Sequence, residues 1–181
     1  MENLSLNSFL GIDFGSTQEV AKNKMLSRAS CTLDEKNSTD TVMYFYGVTF
    51  AGRDTSFVML LFVNGKFSKA AVYIKPKLDA FTIRTYQEIK EELNAKYFKT
   101  IDDFELYDEP YQENDGYTET GISVGKVKFS SFWSFKDSKD GEEDFISLRI
   151  SEELDIIINY EDGDLTKELV NKIKDQDSED Y

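Results

Sequence analysis

Histidine is absent from this 181-residue chain, and cysteine occurs once. Without imidazole there is no Ser-His-Asp or Cys-His relay and no histidine metal ligand. Any catalysis would therefore rest on carboxylates, Lys, Tyr or Cys31. A lone cysteine forbids an intramolecular disulfide. Arg28, Asp34, Glu35 and Lys36 surround it in sequence, a mixed set that points to a buried structural thiol rather than a nucleophile. Long apolar runs are missing as well. The longest, Phe57 to Val63, is strand-sized, far short of the roughly 20 residues of a membrane span. The opening residues, MENLSLNSFLG, have neither the basic start nor the apolar stretch of an export signal. As written the chain reads as cytoplasmic, or as periplasmic or envelope-associated if a leader has been removed.

Positive charge is scarce. Lys and Arg number 21 against 35 Asp and Glu, a net charge of −14. Such a surface repels phosphate backbones and anionic headgroups, which disfavours nucleic acid and membrane as partners. It attracts a basic protein or a metal cation, although solubility alone would also account for it. Apolar residues make up 40% of the chain. At this length roughly 70% of the unfolded surface can be buried, so no disulfide or metal staple is needed.

Ser16-Thr17-Gln18-Glu19 has the spacing of a capping box and predicts a helix from Ser16 to about Ala29. Residues 42–50 are rich in aromatic and β-branched types and read as strand. Ser56 to Val63 is apolar at both parities, the pattern of a central strand covered on both faces. Asn64-Gly65 is a strong hairpin signal leading into a return strand, Lys66 to Lys75. Ile83, Tyr86, Ile89, Leu93 and Tyr97 form one stripe and predict a helix over 82–98. A short strand near Phe104 to Tyr107, an acidic loop 108–118 and a long strand from about Thr120 to Phe135 follow. Two more strands, 145–150 and 154–160, precede a short final helix opened by Gly163. The order predicts an α+β fold, an antiparallel sheet with helices packed on one side, as two tandem α-β-β-β units. One globular domain is expected over 1–174, with halves at 1–80 and 81–174, followed by a disordered acidic tail, 175–181.

The segment Phe9-Leu10-Gly11-Ile12-Asp13-Phe14-Gly15-Ser16-Thr17 resembles the first phosphate-binding segment of the actin, sugar-kinase and heat-shock-chaperone ATPase superfamily. That resemblance implies nucleotide binding, with Asp13 as the metal-facing carboxylate and Gly15, Ser16 and Thr17 as the phosphate-contacting turn. In that family the turn leads into a strand, whereas Gln18 to Arg28 reads as helix. The same opening, extended through Glu19 and Val20, resembles that of small bacterial envelope or secreted α+β proteins, including proteins of gut anaerobes. In element order the chain is similar to the β-lactamase-inhibitor proteins and the small outer-membrane assembly lipoproteins, which are helix-on-sheet binding modules. This second resemblance implies protein binding and transfers no specific residue.

No catalytic set, metal site or cofactor follows from the residues. Acidic loops offer two irregular cation sites, Asp162 with Asp164, and Asp108, Glu109, Glu113 and Asp115, although solvated loops account for both. Exposed aromatics are interface material. Phe129, Trp133 and Phe135 share a parity and are assigned to the core, which leaves Phe132 on the opposite face. Tyr111 and Tyr117 flank the acidic loop. These three, Phe132, Tyr111 and Tyr117, are the candidate protein-binding residues of a non-catalytic acidic module, inhibitor- or immunity-like, with a basic partner. The alternatives are a nucleotide-binding enzyme and a cation-binding envelope domain.

Overall fold

The computed structural model describes residues 5–136 and 141–179. A two-residue hairpin, β1 (Ser8–Phe9) and β2 (Ile12–Asp13), leads into α1 (Gln18–Leu26). Then come β3 (Thr32–Leu33), β4 (Val42–Tyr46), a small hairpin of β5 (Thr49–Phe50) and β6 (Arg53–Asp54), β7 (Phe57–Val63) and β8 (Lys66–Ile74). A single 3-10 turn precedes α2 (Thr82–Lys96), which is followed by β9 (Asp102–Tyr107), α3 (Thr118–Ser123) and β10 (Val127–Phe135). The chain ends in β11 (Asp144–Ile150), β12 (Ile156–Glu161) and α4 (Gly163–Glu179).

Eight strands form one sheet in the order β3-β4-β7-β8-β12-β11-β10-β9, with every neighbour antiparallel. The order is a mirror about the β8–β12 seam, each half running from its outer edge to the centre in chain order. Each half is thus a helix followed by four strands of the large sheet; the sequence reading has all four in the second half and lacks only β3 in the first. The expected α+β fold with an antiparallel sheet is what the chain adopts.

The core lies on one face. Val58, Leu60, Val72, Ile158, Leu148 and Trp133 stand on adjacent strands with the same parity, and α1 and α2 cover them through Ala21, Met25, Tyr86, Ile89 and Leu93. Cys31 is buried in this cluster, and burial pushes its thiol pKa up against the smaller opposite pull of Arg28. α4 stands apart. Its buried Leu165 is not part of that cluster, it meets β7, β8 and β11, and residues 167–176 are exposed. Where a disordered tail is expected from 175, the helix runs on to Glu179; residues 180 and 181 lie outside the described residues. Among the described residues no helix is long and apolar enough to cross a membrane.

Several boundaries differ from the sequence reading: the strand read over 42–50 stops at Tyr46, with Thr49–Phe50 in a separate hairpin, and two elements start later than expected. The helix over 16–29 begins later, because the carbonyl of Ser16 accepts from Phe67 N–H (2.8 Å) and Thr17 bridges Lys66. Thr17, not Ser16, is the N-cap, its Oγ1 accepting from Val20 N–H at 3.3 Å. The long strand begins at Val127 rather than Thr120, because 118–123 forms α3. Gly125, at φ +72°, closes that helix in a Schellman pattern, with Lys126 N–H on Gly121 O and Gly125 N–H on Ile122 O, both 2.9 Å. Asn64 and Gly65 both have positive φ, 49° and 74°, the type I′ turn that their sequence predicts.

Candidate functional site

Side chains alternate across a strand, so the parity that does not enter the core makes a second sheet face. On β7 the even set, Val58, Leu60 and Phe62, is buried, while Phe57, Met59 and Leu61 are only half-buried. The core face of β7 is buried in the cluster under α1 and α2, and the strand is otherwise met by α4 and by side chains packing laterally. Phe57 stacks on Tyr73 of β8 at 4.3 Å and lies 6.0 Å from Tyr44 and 6.3 Å from Tyr46. Tyr46 is 43% exposed.

The other half of the same face carries a second apolar patch. Phe132 on β10 and Phe104 on β9 meet edge to face at 6.2 Å, with Leu106 two residues further along β9. They are 37%, 45% and 56% exposed, whereas Ser131 and Trp133, on either side of Phe132 in sequence, are fully buried. Between the two patches Asn159 Nδ2 donates to Ser147 Oγ at 3.0 Å, both groups buried along with Ile157, while Arg149 lies exposed opposite Ser130. Exposed aromatic groups are enriched at protein contact surfaces.

Of the candidate binding residues, Phe132 lies on this face, as its parity predicts. Tyr111 is half-buried against the core, its ring beside Gly121, where an added Cβ would stand 3.0 Å from Tyr111 Cδ1. Tyr117 is 64% exposed and precedes α3. Both belong to the loop at the Val127 end of β10, roughly 17 Å along the strand from Phe132. The structure does not bring the three together. Phe104, Leu106, Phe57 and Tyr73 were missed. The signal for the first two is the alternation of acidic and apolar residues over Asp103-Phe104-Glu105-Leu106, which puts both apolar side chains on one face.

The core face holds a polar chain between α2 and the strands β9 and β10. Lys90 Nζ donates to Asp103 (2.7 Å), Ser131 Oγ donates to the other Asp103 oxygen (2.7 Å), and Tyr86 Oη lies 2.6 Å from Ser131 Oγ. Burial raises the Asp103 pKa, but hydrogen bonds from Lys90 and Ser131 and the charge of Lys90 outweigh it and hold the carboxyl below its usual range. Burial drives the Tyr86 phenol well above its ordinary pKa, so it stays protonated. This network pins α2 to β9 and β10.

Asp13, Gly15, Ser16 and Thr17 form the turn between β2 and α1. Gly15 N–H donates to Phe67 O (2.8 Å) and Ser16 N–H to Asp13 O (3.1 Å). The donors that would cradle a phosphate are thus spent on the fold. The acidic loops are similarly engaged. Asp115 accepts from the backbone N–H groups of Gln112 and Tyr117 (2.9 and 2.7 Å), and these bonds hold its carboxyl below the usual range. Asp162 accepts from Leu165 N–H and Asp164 from Glu142 N–H. Among the described residues no three acidic or Cys side chains converge on a metal position.

A cavity of about 400 Å³ opens between α2 and the loop 113–119. Tyr107 and Phe129 line it, together with the exposed Glu105 and Glu113 and the half-buried Glu119. Burial, and after it the charge of Glu105, raises the pKa of the Tyr107 phenol, with Glu113 and Asp115 adding smaller contributions. No protein family, curated protein or solved structure matches the chain.

Proposed function

We propose that the chain is a protein-binding module whose contact surface is the open face of the eight-stranded sheet, with a basic partner. The observation that carries this reading is the pair of aromatic patches, Tyr44-Tyr46-Phe57-Tyr73 and Phe104-Leu106-Phe132, left on the face that α1 and α2 do not cover. A net charge of −14 favours a partner of opposite sign and speeds its encounter. The likeness in element order to helix-on-sheet inhibitor modules supports an inhibitor- or immunity-like role.

The test compares wild type with the double variant Phe104→Asp/Phe132→Asp as bait, at low and moderate salt, with captured proteins identified by mass spectrometry. A stoichiometric basic protein held by wild type, weakened by salt and lost from the variant would support the reading. The same proteins on both baits would overturn it.

A further inference from the structure

The two outer edges of the sheet are unequal. β3 is two residues long, whereas β9 has six, all paired to β10 on its inner side. Asp108 N–H donates to Lys126 O (2.8 Å), one step beyond the Tyr107–Val127 pair. Hydrogen-bonded pairs alternate along an antiparallel ladder, so Leu106, Phe104 and Asp102 also point their backbone groups inward. The Thr100 hydroxyl fits this, linking Asp102 N–H to Phe132 O at the ladder's end. The N–H and C=O of Asp103, Glu105 and Tyr107 therefore point away from the sheet, and none has a backbone partner among the described residues.

The side chains flanking this edge differ by face. On the open face stand Phe104 and Leu106, both exposed. On the other lies the 400 Å³ cavity, with Tyr107 and Phe129 in its lining, Glu105 and Glu113 exposed around it and Glu119 half-buried. None of these three glutamates is in an ion pair among the described residues. Two copies of this edge would set Asp102, Asp103 and Glu105 against the same acids, which repels self-pairing.

We propose that β9 is a docking edge for an extended segment of a basic partner, which adds a ninth strand. Its outward backbone bonds go to Asp103, Glu105 and Tyr107, its apolar residues pack beside Phe104 and Leu106, and alternate Arg or Lys residues reach the glutamate-lined cavity. This deepens the protein-binding reading and rests on it for the identity of the partner.

The probe is a seven-residue peptide alternating Arg and Val, with a block peptide of identical composition as control. Binding is followed by fluorescence anisotropy, and exchange of the Asp103, Glu105 and Tyr107 amides by NMR. The alternating peptide is expected to bind at least tenfold tighter than the block peptide and to slow those three amides. Glu105→Pro deletes one outward donor at an edge position that tolerates proline, while Glu105→Ala removes only the charge. Glu105→Pro should weaken binding about tenfold beyond Glu105→Ala. Equal binding by the two variants, equal binding of the two peptides, or unchanged amide exchange would overturn the proposal. So would protection of these amides without peptide that grows with protein concentration, which would make a second copy the occupant. If Glu105→Pro unfolds the chain, the wild-type exchange pattern still decides. A basic partner retained by Glu105→Pro but lost from Phe104→Asp/Phe132→Asp would sink strand addition and leave the open-face reading intact. Peptide protection without any partner lost from that double variant would do the reverse.

Discussion

Thr82 opens α2 fully buried, with its hydroxyl lacking a hydrogen-bond partner among the described residues. A buried unpaired hydroxyl carries its full desolvation cost, and valine has nearly the same shape. Thr82→Val should therefore stabilise the chain by about 1 kcal/mol, read as a higher urea midpoint with an unchanged slope. An unaltered midpoint would mean that the hydroxyl is satisfied in solution. At this scale the sequence told face from face but not depth. Parity correctly separated Phe132 from Phe129, Trp133 and Phe135, because alternation is a property of the strand itself. It could not place Tyr111 against the core, since that depends on α3 presenting a glycine where the ring lies. Lys90 likewise sits on the polar side of its helix pattern but is 8% exposed, because Asp103 receives it.

Elements were legible where local chemistry decides them. Asn64-Gly65 suits a type I′ turn by its own backbone preference, and the stripe on α2 is a period that only a helix buries. α3 was not, because Thr118 to Ser123 is β-prone in composition and becomes helix only with the Gly125 stop behind it. The start of α1 shows the same limit. Ser16 is if anything the better cap in isolation, and pairing with Phe67 on β8 selects Thr17. Thr17→Ala should cost about 1 kcal/mol of stability, while Ser16→Ala, which leaves that backbone pairing intact, should cost less than half as much. Chemical denaturation of the two variants side by side is the check. An equal loss would mean that Ser16 caps the helix after all.

Across the whole molecule the mirrored halves share one sheet and one continuous core cluster. Arg53 of the first half holds Glu92 of α2 with two hydrogen bonds, 2.8 and 2.6 Å, a second tie across the seam. Unfolding should then be a single event. The sole tryptophan, Trp133, lies in the second half and donates to Asn94 Oδ1 and Phe98 O. Its fluorescence and the far-UV circular dichroism of the whole sheet should give coincident urea transitions. A fluorescence transition displaced from the dichroism would show the halves melting separately. Element order was readable from the sequence, but the seam was not, since β8 and β12 are joined by no local signal. That seam also sets a timetable for synthesis. The strand at the centre of the sheet, β12, is the last of the eight to be made, so β8 waits for its neighbour while residues 75–155 emerge. At about 5–20 residues per second that wait is roughly 4–16 s, during which the nascent first half presents an unpaired apolar strand to whatever chaperones attend the ribosome.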